Sequence, residues 1–268
     1  MSLENKRIII TGAAGGLGSH VAKLLSAQGA KLILVDLDHS ALKNTLQNLD
    51  TDSTITISTD ITLASGRNEI VKTTLNTFQG IDILINLAGI NPFGSFTKQE
   101  SEVIQKTMEV NTIAPMLLTH DVLPTMHKQH SGQIVNIGSI FGSIAFAWFT
   151  SYSTSKFALR GFSQSLRREL ADTGIDVTYI APRAIKTSIN SAAVYEMAEV
   201  IKMNMDEPEE VAEKVIHAIE TRKKEYYIGF PESLFVRINA ILPGLVDNVV
   251  RKQNRLARPY ALREEATD

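Results

Sequence analysis

Short runs of β-branched residues alternate along the chain with longer stretches of helical periodicity. KRIIIT, KLILVD, STITIS, IDILIN, GQIVNIG and IDVTYIA are each followed by a helix-compatible segment. This alternation predicts strand–helix–strand units with parallel strands. The runs are apolar at nearly every position instead of every second one, as strands are when helices cover both faces of the sheet. The predicted fold class is α/β, a doubly wound parallel sheet in three αβα layers. No internal repeat or low-complexity linker interrupts residues 1–230, which predicts a single domain there. Beyond it, TRKKE leads to a further strand candidate, YYIGF, then to the mainly apolar SLFVRINAILPGLVDNVV and a tail with Arg251, Lys252, Arg255, Arg258 and Arg263. Pro243-Gly244 interrupts helical periodicity there, so residues 231–268 are expected to form an irregular C-terminal extension. Its roles as expected from the sequence are subunit packing or a lid over the site, ahead of peripheral membrane contact.

Composition then removes whole classes of function. At 268 residues and 44% hydrophobic, the chain can build a core without covalent staples. Cysteine is absent, which excludes disulfides, a thiolate nucleophile and sulfur-ligated zinc, and fits a reducing compartment. With no secretory pattern in MSLENKRIII, the cytoplasm is the expected location. Lys and Arg number 27 against 29 Asp and Glu, so no positive field gathers nucleic acid, and none is expected as a partner. His127 and His130 lie close in HKQH without an acidic helix partner, which predicts a solvated helix end and no metal site. No Gly-x-Ser-x-Gly elbow is present, which disfavours serine hydrolysis.

The first strand ends in Thr11-Gly12-Ala13-Ala14-Gly15-Gly16-Leu17-Gly18, which opens a helix. Glycines there permit a tight turn and let the backbone approach a pyrophosphate, while the helix N-terminus supplies N–H donors and positive dipole. The second strand ends at Asp36, eighteen residues after Gly18, where a carboxylate accepts hydrogen bonds from an adenosine ribose diol and repels a 2′-phosphate. The pairing predicts a Rossmann-type dinucleotide site that prefers NAD, with NADP as the lesser alternative. The neighbours that would reverse the choice are Gly15 and Leu37, neither of them basic.

Tyr152 and Lys156, four residues apart on a predicted helix, share a face. An ammonium beside a phenol favours the phenolate and so makes the tyrosine a proton donor or acceptor nearer neutral pH. Ser139 stands at the end of the preceding strand, thirteen residues before Tyr152. Between them lie Phe141, Ile144, Phe146, Trp148 and Phe149, and the segment from Ser188 to Met205 adds Val194, Tyr195, Met197, Val200, Ile201 and Met203. Both segments point to an apolar substrate.

Taken together these motifs resemble the short-chain dehydrogenase/reductase superfamily, in its shorter single-domain branch, over about residues 6–190. TGAAGGLG resembles its phosphate loop, Asp60-Ile61 its adenine-holding pair, and Asn86-Leu87-Ala88-Gly89 its element beside the cofactor. Asn111, Ser139, Tyr152 and Lys156 align with its catalytic tetrad. The resemblance implies that Tyr152 exchanges a proton with the substrate oxygen, that Ser139 hydrogen-bonds that oxygen, that Lys156 binds the nicotinamide ribose, and that Asn111 holds a water. It also places Gly12, Gly15, Gly16, Leu17, Gly18, Asp36, Asp60, Ile61, Asn86, Ala88, Gly89, Pro182, Ile185 and Thr187 around the cofactor. The reaction implied interconverts a secondary alcohol and a ketone. A homodimer or higher homo-oligomer is implied through helices near residues 98–127 and 152–171. Arg183 stands where relatives carry glycine, and a structural ion pair is the favoured reading of it over a substrate contact. A non-catalytic NAD-sensing or scaffold protein on the same fold is the alternative.

Overall fold

The computed structural model describes residues 1–263. Strands β1 (Arg7–Thr11), β2 (Lys31–Asp36), β3 (Thr54–Ser58), β4 (Ile83–Asn86), β5 (Gly132–Ile137) and β6 (Ile175–Pro182) form the parallel sheet that the apolar runs predict. Two-residue strands β7 (Ala184–Ile185) and β8 (Met205–Asp206) pair apart from it, and β9 (Glu225–Ile228) adds a seventh strand to its edge. The main sheet runs in the order β3-β2-β1-β4-β5-β6-β9. The order reverses direction between β1 and β4, and in such sheets the crevice beyond the carboxyl ends of those two strands is where ligands sit.

Helices α1 (Gly16–Ala27), α2 (His39–Leu46), α3 (Ala64–Phe78), α4 (Ser101–Met108), α5 (Ala114–Gln129), α6 (Thr150–Glu169), α7 (Ala192–Ile201) and α8 (Pro208–Glu220) follow in chain order. One apolar core joins the sheet to α1 and α8 through Leu17, Val21, Val211 and Val215; the other joins it to α3, α5 and α6 through Ile70, Leu118, Val122 and Leu166. Both sheet faces are thus dry, which explains strands with no polar alternation. Helix starts follow local chemistry: Asp38 caps α2 by accepting from Ser40 and Ala41 N–H, and α8 opens with Pro208 followed by Glu209 and Glu210.

The C-terminal extension corrects an expectation. Residues after β9 are not irregular through residue 261; they form α9 (Glu232–Ile241) and α10 (Pro243–Ala261). Pro243 sits in the first turn of α10, where a missing N–H costs nothing, so the interruption predicted at Pro243-Gly244 falls at Leu242, between two regular helices. Ala257 of α10 packs into a third apolar cluster with Phe146, Phe149, Val194, Met197 and Ile201, while Trp148 Nε1 donates to the Asn254 carbonyl at 3.2 Å. The last residues of the extension, 264–268, lie outside the described residues.

Candidate active site

A cavity of about 900 Å³ lies at the carboxyl ends of β1, β4 and β5, where the strand order reverses. At its floor is the loop between β1 and α1. Gly12 has φ +69, and a Cβ there would stand 2.8 Å from the Ala88 backbone; at Gly18 a Cβ would stand 2.1 Å from the Gly12 carbonyl. These two glycines are what let the loop close and α1 approach the sheet. Gly15, the N-cap of α1, offers no side-chain cap, and the first turn carries no acidic residue. The first-turn N–H groups, on Gly16, Leu17 and Gly18, have no intrahelical acceptor, and Gly15, Gly16 and Leu17 line the cavity. An uncapped positive helix end facing a large cavity matches the chemistry of a pyrophosphate.

Asp36 lines the same cavity at the end of β2. Its carboxylate accepts from Ala14 N–H at 3.0 Å and Leu37 N–H at 2.8 Å, so the backbone holds it against the phosphate loop. Asp60, Ile61, Ala88, Gly89, Pro182, Ile185 and Thr187 also line the wall. Asn86 does not line it. Its buried amide donates to Asn136 Oδ1 at 2.9 Å and Thr119 Oγ1 at 3.2 Å, tying β4 to β5 behind the wall. Asn111 is likewise buried, inside a π-helical turn at Glu109–Ile113 that interrupts the α4–α5 segment. It exchanges hydrogen bonds with the Ile90 backbone and donates to Ser155 Oγ at 3.0 Å. Such turns reorient a single side chain, here towards Gly89.

Ser139, Tyr152 and Lys156 meet in the cavity. Lys156 is buried, donates to the Ile137 carbonyl at 3.0 Å, and lies over the Tyr152 ring at 5.8 Å from its centroid. The electrostatics differ from the sequence expectation. Burial pushes the Tyr152 phenol up to about 12, with Ser139 pulling the other way, and pushes the Lys156 ammonium down to about 8. Neither group has a charged partner to offset its desolvation, so each charged form is disfavoured.

Sequence reading missed one feature. Tyr179 of β6 reaches behind Ser139: its hydroxyl donates to the Ser139 carbonyl at 3.3 Å and accepts its N–H at 3.4 Å. The fit depends on Gly138, where a Cβ would come within 2.2 Å of the Tyr179 ring. Phe235 of α9 and Val246, Val249, Val250 and Gln253 of α10 complete the cavity wall, on the extension whose expected roles include a lid over the site. Phe141, Ile144, Phe146 and Phe149 line it as well, whereas Trp148 turns away to its Asn254 contact. Among the described residues, no three His, Asp or Glu side chains gather as a metal site.

Arg183 makes a structural ion pair. Its guanidinium binds the Asp206 carboxylate, with the shortest contact 2.6 Å, and reaches Glu232 at 3.1 Å and the Phe230 carbonyl at 3.1 Å. It thereby ties β6, β8 and the start of α9 together beside the cavity. Arg183→Gly strands a nearly buried Asp206 and is expected to cost about 3 kcal/mol in denaturant unfolding, with Asp206→Asn in the same chain recovering part of it.

Residues 6–198 match the family model described as short chain dehydrogenase. The chain belongs to the short-chain dehydrogenase family. This short-chain dehydrogenase is 35% identical over 217 residues to an uncharacterized oxidoreductase of Staphylococcus aureus (strain USA300), covering 81% of this chain and 92% of that one. It is 33% identical to dehydrogenase/reductase SDR family member 7B of Mus musculus over 273 residues, 96% of this chain and 83% of that one. Its fold superimposes with a TM-score of 0.83, at 21% identity, on a short chain dehydrogenase/reductase from Burkholderia phymatum in complex with NAD, covering 92% and 96% of the two chains. It is an oxidoreductase of that family. Among its described residues, no helix is long and apolar enough to cross a membrane.

Proposed function

We propose that the chain interconverts an apolar secondary alcohol and its ketone with NAD(H), NADP(H) serving less well. The observation that carries this reading is the convergence, in one cavity, of an uncapped helix N-terminus, the Asp36 carboxylate, and Ser139, Tyr152 and Lys156. The NAD named with the Burkholderia structure supports the choice of cofactor.

When bound, the nicotinamide supplies or accepts the hydride. Gly12, Gly15, Gly16, Leu17 and Gly18 would hold the pyrophosphate, Asp36 the adenosine ribose, and Asp60 and Ile61 the adenine side. Ala88, Gly89, Pro182, Ile185, Thr187, Tyr152 and Lys156 would surround the nicotinamide half, with Asn86 acting only by fixing the wall. In reduction, the Tyr152 hydroxyl gives its proton to the substrate oxygen while Ser139 Oγ donates a hydrogen bond to it; oxidation runs the same transfers in reverse. Lys156 orients the cofactor ribose and biases the Tyr152 proton, and Asn111 positions the elements behind them. Phe141, Ile144, Phe146, Phe149 and the C-terminal helices exclude water and select an apolar substrate. We assign residues 1–230 to the catalytic domain and residues 231–268 to an extension that forms one wall of its site. We assign the outer faces of α5 and α6 to contact with a second copy of the chain, a reading supported by the exposed Met116, Leu117 and Phe157.

Fluorescence titration with NADH and NADPH, followed by turnover with apolar ketones and secondary alcohols, tests the reading. NADH binding with no turnover across the panel would favour the sensing alternative. Asp36→Ser is expected to weaken NADH binding by about tenfold or more through lost charge-assisted hydrogen bonds and to narrow the gap to NADPH. An unchanged NADH-to-NADPH ratio in that variant would remove Asp36 from cofactor selection.

A further inference from the structure

The two C-terminal helices wall the cavity on one side and present a different face outward. At and beside the corner between them, Phe230, Leu234, Ile241, Leu242, Leu245 and Val249 are all exposed, Ile241 to 77%. At about 100° per residue, Leu245, Val249, Lys252 and Leu256 fall within an arc of roughly 60° on α10. The buried positions Val246 and Ala257 lie on a separate face, with Val250 and Gln253 of the cavity wall beside them. Arg251, Arg255 and Arg258, spaced i, i+4 and i+7, flank the apolar stripe on the other side.

The charge of this surface says what can cover it. From Glu232, where α9 begins, to Arg263 the sequence carries six Lys and Arg against two carboxylates, Asp247 and Glu232, the latter bound to Arg183 and Asn204. Among the described residues no acidic side chain pairs with Arg237, Arg251, Lys252, Arg255 or Arg258, whereas other surface cations, such as Lys186 and Arg222, are paired. In a two-fold contact on this face the patch would meet itself, setting the row of three arginines against its own copy with a single carboxylate per chain, Asp247, left to compensate. Apolar side chains flanked by unpaired cations are instead the composition of a helix that lies in an anionic bilayer interface.

We infer that α9 and α10 form a docking face for an anionic lipid surface, with the substrate cavity opening at that face. Val249 is the link: it is half-exposed on the outward stripe and also lines the cavity wall. An apolar substrate dissolved in the lipid then enters without crossing water. That last step rests on the proposed alcohol–ketone chemistry; the docking itself does not.

The test is flotation of the full chain with vesicles of phosphatidylcholine alone or with about one-third phosphatidylglycerol, at about 0.1 M and about 0.5 M NaCl. The wild type is expected to float with the anionic vesicles at low salt, to be released at high salt, and to ignore neutral vesicles. Ile241→Asp/Leu245→Asp and Arg251→Glu/Arg255→Glu should each reduce bound protein by about tenfold or more while keeping wild-type NADH binding, which controls for folding. Tyr152→Phe should float like the wild type, so failure of the catalytic reading leaves this result standing. Absence of flotation at low salt, or equal flotation with neutral vesicles, overturns the inference. So does a wild-type dimer that Ile241→Asp/Leu245→Asp converts to monomer, since a second copy would then cover the face.

Discussion

Tyr152→Phe is expected to lower kcat by about 10²- to 10⁴-fold while leaving NADH affinity within about twofold. The change removes one oxygen and keeps the ring, so the packing of Tyr152 against Phe141 and Phe149 survives. What disappears is the one hydroxyl in the cavity that stands beside both Ser139 and Lys156. The alkaline displacement of the phenol favours the protonated form, which suits donation to a ketone at neutral pH. Oxidation asks the same group to accept a proton, so its rate should climb with pH where the rate of reduction does not. Single-turnover kinetics with a ketone that the wild type reduces, alongside an NADH titration, separates chemistry from binding. Retention of most of the wild-type rate would transfer the proton role to another group.

What the sequence discloses is what local chemistry decides. Ile8, Ile9 and Ile10 of β1, or Ile134 and Val135 of β5, are apolar because both sheet faces are covered, and that is visible one strand at a time. The phosphate loop is equally legible, since Gly12 and Gly18 sit where no other residue fits. Features set by distant contacts are not. Asn86 belongs to a familiar motif, yet its amide is spent on Asn136 and Thr119, and only the pairing of β4 with β5 shows this. The spacing of Tyr152 and Lys156 predicts a shared face, which the structure keeps, but not the sign of the net shift on the phenol, because burial is a property of the whole cavity. Pro243 shows in one dimension that helical periodicity breaks, but not that a second regular helix starts there once α9 has ended at Ile241. Tyr179 lies forty residues from Ser139 and carries no motif of its own.

Lys156→Met is expected to make the cofactor-free protein more stable at pH 7 and close to inactive. The folded value of Lys156, about 8, lies below its ordinary 10.5, because burial disfavours the ammonium. Below pH 8 the lysine is charged in both states and folding bears the whole penalty, about 3 kcal/mol at 1.36 kcal/mol per pH unit. Between pH 8 and 10.5 the unfolded chain binds the extra proton, so wild-type stability rises with pH and the penalty fades. Methionine fills similar space without charge, and loses one hydrogen bond to the Ile137 carbonyl, worth about 1 kcal/mol. The net gain at pH 7 is then about 2 kcal/mol, shrinking towards zero and below as pH approaches 10.5. Denaturant midpoints of both proteins at pH 7 and pH 10 measure it; a variant destabilised equally at both would show that the ammonium is not penalised in the fold. Turnover should fall by at least about 10²-fold in the same variant, as expected where a site keeps a costly buried charge for its chemistry. Bound NADH should reduce the stability difference, because the wild type gains binding energy through Lys156 that the variant lacks.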